Sequence, residues 1–211
     1  MNADKGIFYM AVGLLDADLK SVNRKRADVM VFIGVDLGKV ESHSAFVIVE
    51  RFEEWPGELT EVLRGAGPRR RYVVRQVERF ELGTEYRLVV ERLKRVVEWV
   101  KGTGRMCVLV VDEGGPGGPV VERMREAGMG CGILPFTITS GEEATSRTVP
   151  RTMLLTKMQL MLQHGELEIA AGCRHGEMLE KELVRLQLKK SGHSDDLALA
   201  LALACWKARV R

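Results

Sequence analysis

The sequence predicts an α/β protein: a central mixed sheet with an antiparallel three-strand meander, flanked by helices. Three observations lead there. The run 29–36 (VMVFIGVD) is continuously apolar and rich in β-branched residues, as in a strand buried on both faces. Two further strand-like runs, 45–49 and 72–80, follow before any helical period appears. From Thr84 onward, helical periods alternate with short apolar runs, as in strand–helix units.

Taken in order, residues 1–28 mix charge and small residues without a sustained period. With Lys20, Arg24, Lys25 and Arg26 they read as a linker or N-terminal arm, leaving 29–211 as the folded domain. The stretch 53–71, rich in Gly, Pro and charge, reads as a long, mobile hairpin loop with Arg64, Arg69, Arg70 and Arg71 near its end. The clearest amphipathic helix is 84–101. Tyr86, Val89, Val90, Leu93, Val96, Val97 and Val100 recur at three- and four-residue spacing, and Gly102 and Gly104 stop it. Residues 107–111 form another buried strand, ending in Asp112; a Gly-Gly-Pro-Gly-Gly-Pro loop then leads into a helix to about Ala127. A strand at 133–138, a helix at 150–163 with Pro150 in its first turn, an amphipathic helix at 177–188 and an apolar helix at 195–207 complete the set.

The composition bounds the function. With 211 residues, 45% hydrophobic, 29% charged and a net charge of +3, the chain has the makeup of one globular unit, too short for a motor or polymerase. Collagen-like and wholly disordered readings fail. The longest apolar stretch, 197–206, is about half the ~20 residues that cross a bilayer, so it reads as a core helix and no membrane association is expected. The N-terminus lacks the basic region and cleavage site of a secretion signal, which points to the cytoplasm. Cys107, Cys131, Cys173 and Cys205 lie far apart without a CxxC pair, as in reduced thiols; Cys173 and His175 lack the second pair that a zinc site needs.

The acids carry the chemistry. Asp36 and Asp112 each end a buried β-branched run and each lie close before a glycine. If their strands are neighbours, both carboxylates emerge at one sheet edge, where glycine lets a phosphate or its metal approach the backbone. A third acidic point, Asp195-Asp196, opens the apolar last helix. Taken singly, each has a structural explanation: Asp36 and Asp112 as turn initiators, Asp195 as a helix N-cap with Asp196 favouring the positive dipole end. Three carboxylate points beside buried elements together match the acid clusters that bind two hard divalent ions for phosphodiester hydrolysis.

These landmarks, in order, resemble the C-terminal nuclease domain of phage terminase large subunits, of the RNase H-like superfamily. The residues are Val-Phe-Ile-Gly-Val-Asp36-Leu-Gly, Val-Leu-Val-Val-Asp112-Glu-Gly-Gly-Pro-Gly, Val149-Pro150 with Leu154, Gly165-Glu166-Leu167-Glu168-Ile169, Glu180-Lys-Glu182-Leu183 and His193-Ser-Asp195-Asp196 before alternating Leu and Ala. The likeness runs from about Val29 to Lys207, and its closing His-x-Asp-Asp is the most specific part. It implies an endonuclease that cuts concatemeric viral double-stranded DNA during genome packaging with two Mg²⁺ or Mn²⁺ ions. Asp36 would bridge the metals, Asp112 would bind one, and Asp195, Asp196 or both would supply the third ligand, Asp195 first. His193 is a secondary candidate; so is Glu113, which stands where many relatives have a small polar residue. The family's nuclease is joined to a packaging ATPase, yet no phosphate-binding Gly-x-x-x-x-Gly-Lys-Ser/Thr loop occurs here. A terminase ATPase domain, a small terminase subunit and a portal are the implied partners, and the host cytoplasm the implied location.

DNA affinity would come from local basic patches, 64–79 with Arg69, Arg70 and Arg71, and 147–157 with Arg147, Arg151 and Lys157. With 6% aromatic residues, base stacking is expected to be minor and sequence preference weak. The rival readings are a Holliday-junction-resolvase-like nuclease, an actin-like kinase and a degenerate, non-catalytic prophage DNA-binding module. An actin-like kinase needs two such domains around ATP, and this length supplies about one.

Overall fold

The computed structural model describes residues 29–38, 42–54, 69–115, 117–187 and 195–209. A seven-stranded sheet has the order β6-β5-β4-β1-β2-β3-β7. Its strands are β1 (Val29–Asp36), β2 (Ala45–Glu54), β3 (Arg69–Arg79), β4 (Met106–Asp112), β5 (Gly132–Thr139), β6 (Thr148–Pro150) and β7 (Leu167–Ile169). The helices are α1 (Tyr86–Gly102), α2 (Gly117–Glu126), α3 (Arg151–Gln163), α4 (Gly176–Gln187) and α5 (Asp196–Arg209). β1, β2 and β3 pair antiparallel, forming the expected meander, and every other pairing is parallel. The sheet is therefore mixed, as the sequence predicts.

β1 lies at the centre and is buried on both faces. Phe32 joins Val47, Val74, Val108 and the apolar sides of α3, α4 and α5, whereas Val31, Ile33 and Val35 join Phe46, Leu109 and the buried stripes of α1 and α2. The strand's two-residue period divides its side chains between these two cores. α5 is buried nearly all round, and its alternating Leu and Ala let it lie against β1 and β2. The contact is close at Gly34, where a Cβ would stand 1.9 Å from the Ala200 carbonyl oxygen.

The expected loop at 53–71 is corrected at both ends. β2 continues to Glu54 and β3 starts at Arg69, with Glu53 opposite Arg70 and Phe52 opposite Arg71. Arg70 pairs with Glu53 at 2.9 Å, and the Arg71 guanidinium stacks over Phe52 at 5.2 Å from its centroid. Cross-strand charge and cation–π pairs replace the apolar alternation that marks a strand in sequence. Arg64 and residues 1–28 lie outside the described residues. The short strands β6 and β7 were not foreseen as strands. All four cysteines are free thiols, as expected, and Cys107 and Cys131, distant in sequence, come together at the start of the β4–β5 ladder. No helix among the described residues is long and apolar enough to cross a membrane.

Candidate metal centre

β1 and β4 run parallel with Val35 level with Val111, so Asp36 and Asp112 stand side by side one position further on. Val35 and Val111 belong to the core under α1 and α2, so the period of two turns both aspartates to the opposite face, where α5 packs. Gly34 against Ala200 sets the register of α5. Moving one helical turn back from Ala200, about 6 Å, reaches Asp196; moving two residues forward from Gly34, about 7 Å, reaches Asp36. The missing side chain at Gly34 thus lets α5 approach until the charge of Asp196 acts on Asp36.

The electrostatics reflect this convergence. Asp36 is buried, and its carboxyl is pushed up from its ordinary 3.8 to about 8, first by burial and then by the like charges of Asp196 and Asp112, against the opposing pull of Arg151. The turn after Asp36 is fastened from both sides. The Gly38 N–H donates to Ser44 Oγ at 3.1 Å, and the Tyr86 hydroxyl donates to the Gly38 carbonyl at 2.6 Å. A Cβ at Gly38 would stand 2.2 Å from the Ser42 carbonyl oxygen, so the turn closes around a glycine. Asp112 does initiate a turn: its Oδ1 accepts from the Gly114 N–H at 2.9 Å and the Ile138 N–H at 3.3 Å. These bonds also hold the carboxylate in place.

Asp195 and Asp196 have separate surroundings. Asp195 occupies the N-cap by its backbone, its carbonyl accepting from the Leu199 N–H at 2.9 Å, while its carboxylate pairs with Arg151 at the start of α3. Asp196 is buried and is the neighbour whose charge acts on Asp36. Of the expected pair, Asp196 is thus the buried acid and Asp195 the one paired with Arg151. Glu113 is half-buried, and its N–H donates to the Phe136 carbonyl; it is not among the charges acting on Asp36. His193 lies outside the described residues.

Of the basic candidates, Arg151 is at the site. Arg147 is exposed beside β6, and the Lys157 ammonium sits 3.9 Å over the Trp206 ring. Arg69, Arg70 and Arg71 are elsewhere. Arg79 is level with Ala45, and Ala45 with Asp36, so these three arginines lie at the far end of β3, roughly 25–30 Å along the strand.

Two residues at the site escaped identification from sequence as site residues. Arg79, at the end of β3, contacts Glu182 through Nη2 and faces Asp196 with Nε at 3.8 Å. Glu182, on α4, accepts from the Ala198 N–H at 3.0 Å. Its sequence signal is a charged residue three positions after buried Leu179, on the side of α4 that faces the core.

The donor set fits a hard divalent cation in kind: oxygen ligands, one of them buried among like charges that a cation would neutralise. Among the described residues, no three His, Cys, Asp or Glu side chains stand close enough together to hold a metal ion.

No protein-family model and no curated protein matches the sequence. Among solved structures, the chain is similar to the large terminase nuclease from thermophilic phage G20c with bound zinc, at TM-score 0.52 and 18% identity over 86% of this chain and 88% of that one. It is similar to the Mn-soaked human cytomegalovirus terminase nuclease domain at TM-score 0.51 and 12% identity, over 88% of this chain and 86% of that one. Each match covers most of both chains, so this chain shares the fold of these terminase nuclease domains.

Proposed function

We propose that this chain is a divalent-metal-dependent endodeoxyribonuclease of the terminase large-subunit type, its nuclease domain spanning 29–211 behind an arm at 1–28. The observation that supports the reading is that Asp36, buried at the end of β1, feels the like charges of Asp196 at the start of α5 and of Asp112 at the end of the parallel β4. Asp36, Asp112 and Asp196 would hold two Mg²⁺ or Mn²⁺ ions, with Asp195 near them. When bound, such ions activate water and stabilise the leaving oxygen of a phosphodiester.

The chain's own residues supply the rest. The hydrogen bonds from Gly114 and Ile138 orient Asp112 before any cation arrives. The fastened turn at Gly38 supports Asp36, and Arg151, 44% exposed while paired with Asp195, would meet a DNA phosphate. The substrate in this reading is concatemeric double-stranded viral DNA cut during packaging in the host cytoplasm. A terminase ATPase domain, small subunit and portal are the partners that would direct the cut.

The test is cleavage of supercoiled plasmid at low salt with Mg²⁺, Mn²⁺ or EDTA. Asp36→Ala and Asp112→Ala should each lower the metal-dependent rate by at least about a hundredfold, while circular dichroism stays native. Unchanged nicking by purified Asp36→Ala would remove the assignment.

A further inference from the structure

Cys107 and Cys131 are drawn together by the fold. β4 and β5 run parallel with Val108 level with Gly132, so the two cysteines stand opposite one another one position earlier, just before the first paired residues of that ladder. Neighbouring strands lie about 4.8 Å apart, inside the roughly 4.4–6.8 Å between Cα atoms that a disulfide spans. Both side chains belong to one face of the sheet: Cys107 is part of the core under α1 and α2, and Cys131 packs against that core. Cys107 is 8% exposed and Cys131 half-buried, so the pair meets solvent at its Cys131 end.

The surroundings favour thiol chemistry. The Lys101 ammonium, from the last turn of α1, reaches this corner, where a Cβ at Gly130 would stand 2.8 Å from Nζ. The Cys131 thiol donates to Cys107, and that hydrogen bond, against burial and with the help of the Lys101 charge, holds the Cys107 thiol below its ordinary range. Glycine flanks Cys131 on both sides, and Gly130 has a φ of 72°, so the backbone there adjusts readily to the small shift that joining two sulfurs asks. The other two cysteines differ. Cys205 is 1% exposed inside α5, and the Cys173 thiol donates to the Arg174 carbonyl of its own loop at 3.8 Å.

We propose that Cys107 and Cys131 are a redox-modification site that closes into a reversible intrachain disulfide, with a small-molecule disulfide such as oxidised glutathione as co-reactant. One thiolate of the pair attacks a sulfur of the small disulfide, forming a mixed disulfide and expelling the other half as a thiolate. The second cysteine, losing its proton, attacks the protein sulfur of the mixed disulfide and expels the remaining half. Two protein thiols are oxidised, one small disulfide is reduced to two thiols, and the two protons pass to those thiols. The inference stands apart from the metal site, because Asp112 lies at the other end of β4, roughly 17 Å along the strand.

The experiment incubates the reduced full chain with excess oxidised glutathione at about pH 8, quenches with acid, alkylates the remaining thiols in denaturant and maps tryptic peptides without reduction. Arg123 and Arg125 let trypsin part the two cysteines. A peptide pair joining Cys107 to Cys131 should appear, Cys205 should be alkylated, and excess reduced glutathione should return both linked thiols to alkylation. In Cys107→Ser the reaction stops at its first step, so glutathione carried on Cys131 should rise at least about tenfold over wild type. Full alkylation of both cysteines, a persistent glutathione adduct on wild-type Cys131, or links that engage Cys173 or Cys205 instead would overturn the inference. If Cys107→Ser fails to fold, the wild-type peptide map decides alone.

Discussion

Burial among like charges has a measurable consequence at Asp36. Its carboxyl is raised from 3.8 to about 8, so between those values the folded chain holds a proton that the unfolded chain has released. This group's contribution to stability is therefore fully present below about pH 4 and is lost as pH rises through about 8. Asp36→Asn removes the charge that burial opposes. In the metal-free protein it should raise the melting temperature at pH 8 by a few degrees, about 1 kcal/mol or more, and by less at pH 5. Thermal melts at the two pH values check this, and an equal gain at both would show that the carboxyl is not raised. Binding of Mn²⁺ should likewise release close to one proton at pH 7, read from calorimetry in buffers of different ionisation enthalpy. The identity of this residue was legible because it ends an apolar run before a glycine turn. Its raised affinity for protons was not, since that depends on Asp112 and Asp196 arriving from elsewhere in the chain.

Among the elements, α5 decides the site. Its Leu-Ala alternation announced a buried helix in the sequence, but the close approach that lets the charge of Asp196 act on Asp36 depends on Gly34. Gly34→Ala forces a methyl group into the Ala200 carbonyl and should destabilise the fold by about 3 kcal/mol, lowering the urea midpoint. An unchanged midpoint would mean that α5 does not pack this closely. The strands show the limits of periodicity. β1 and β4 were legible because hydrophobic burial writes itself as continuous apolar runs, whereas β6 and β7 span three residues each and are defined by their ladder partners. The outer halves of β2 and β3 were read as loop because their Glu and Arg side chains satisfy one another only once the strands lie side by side.

For the whole molecule, the sheet separates two basic groups that look equivalent in sequence. Arg151 is at the acids, whereas Arg70 and Arg71 are paired with Glu53 and Glu168 at the far end of the meander. Replacing Arg69, Arg70 and Arg71 together with Gln should change plasmid binding by no more than about twofold in a salt titration, while Arg151→Gln should weaken it and flatten the salt dependence. A large loss in the triple variant would move the DNA path to that end. The sequence by itself determined the α/β class, the meander, the central strand and the aspartate at its end, because burial and turn chemistry are local properties of the chain. The tertiary structure decided that Asp196 is buried with its charge acting on Asp36, that Arg151 pairs with Asp195, and that Arg79 and Glu182 meet beside Asp196. Those are matters of which distant residues share a small, poorly solvated space, and no local pattern encodes that.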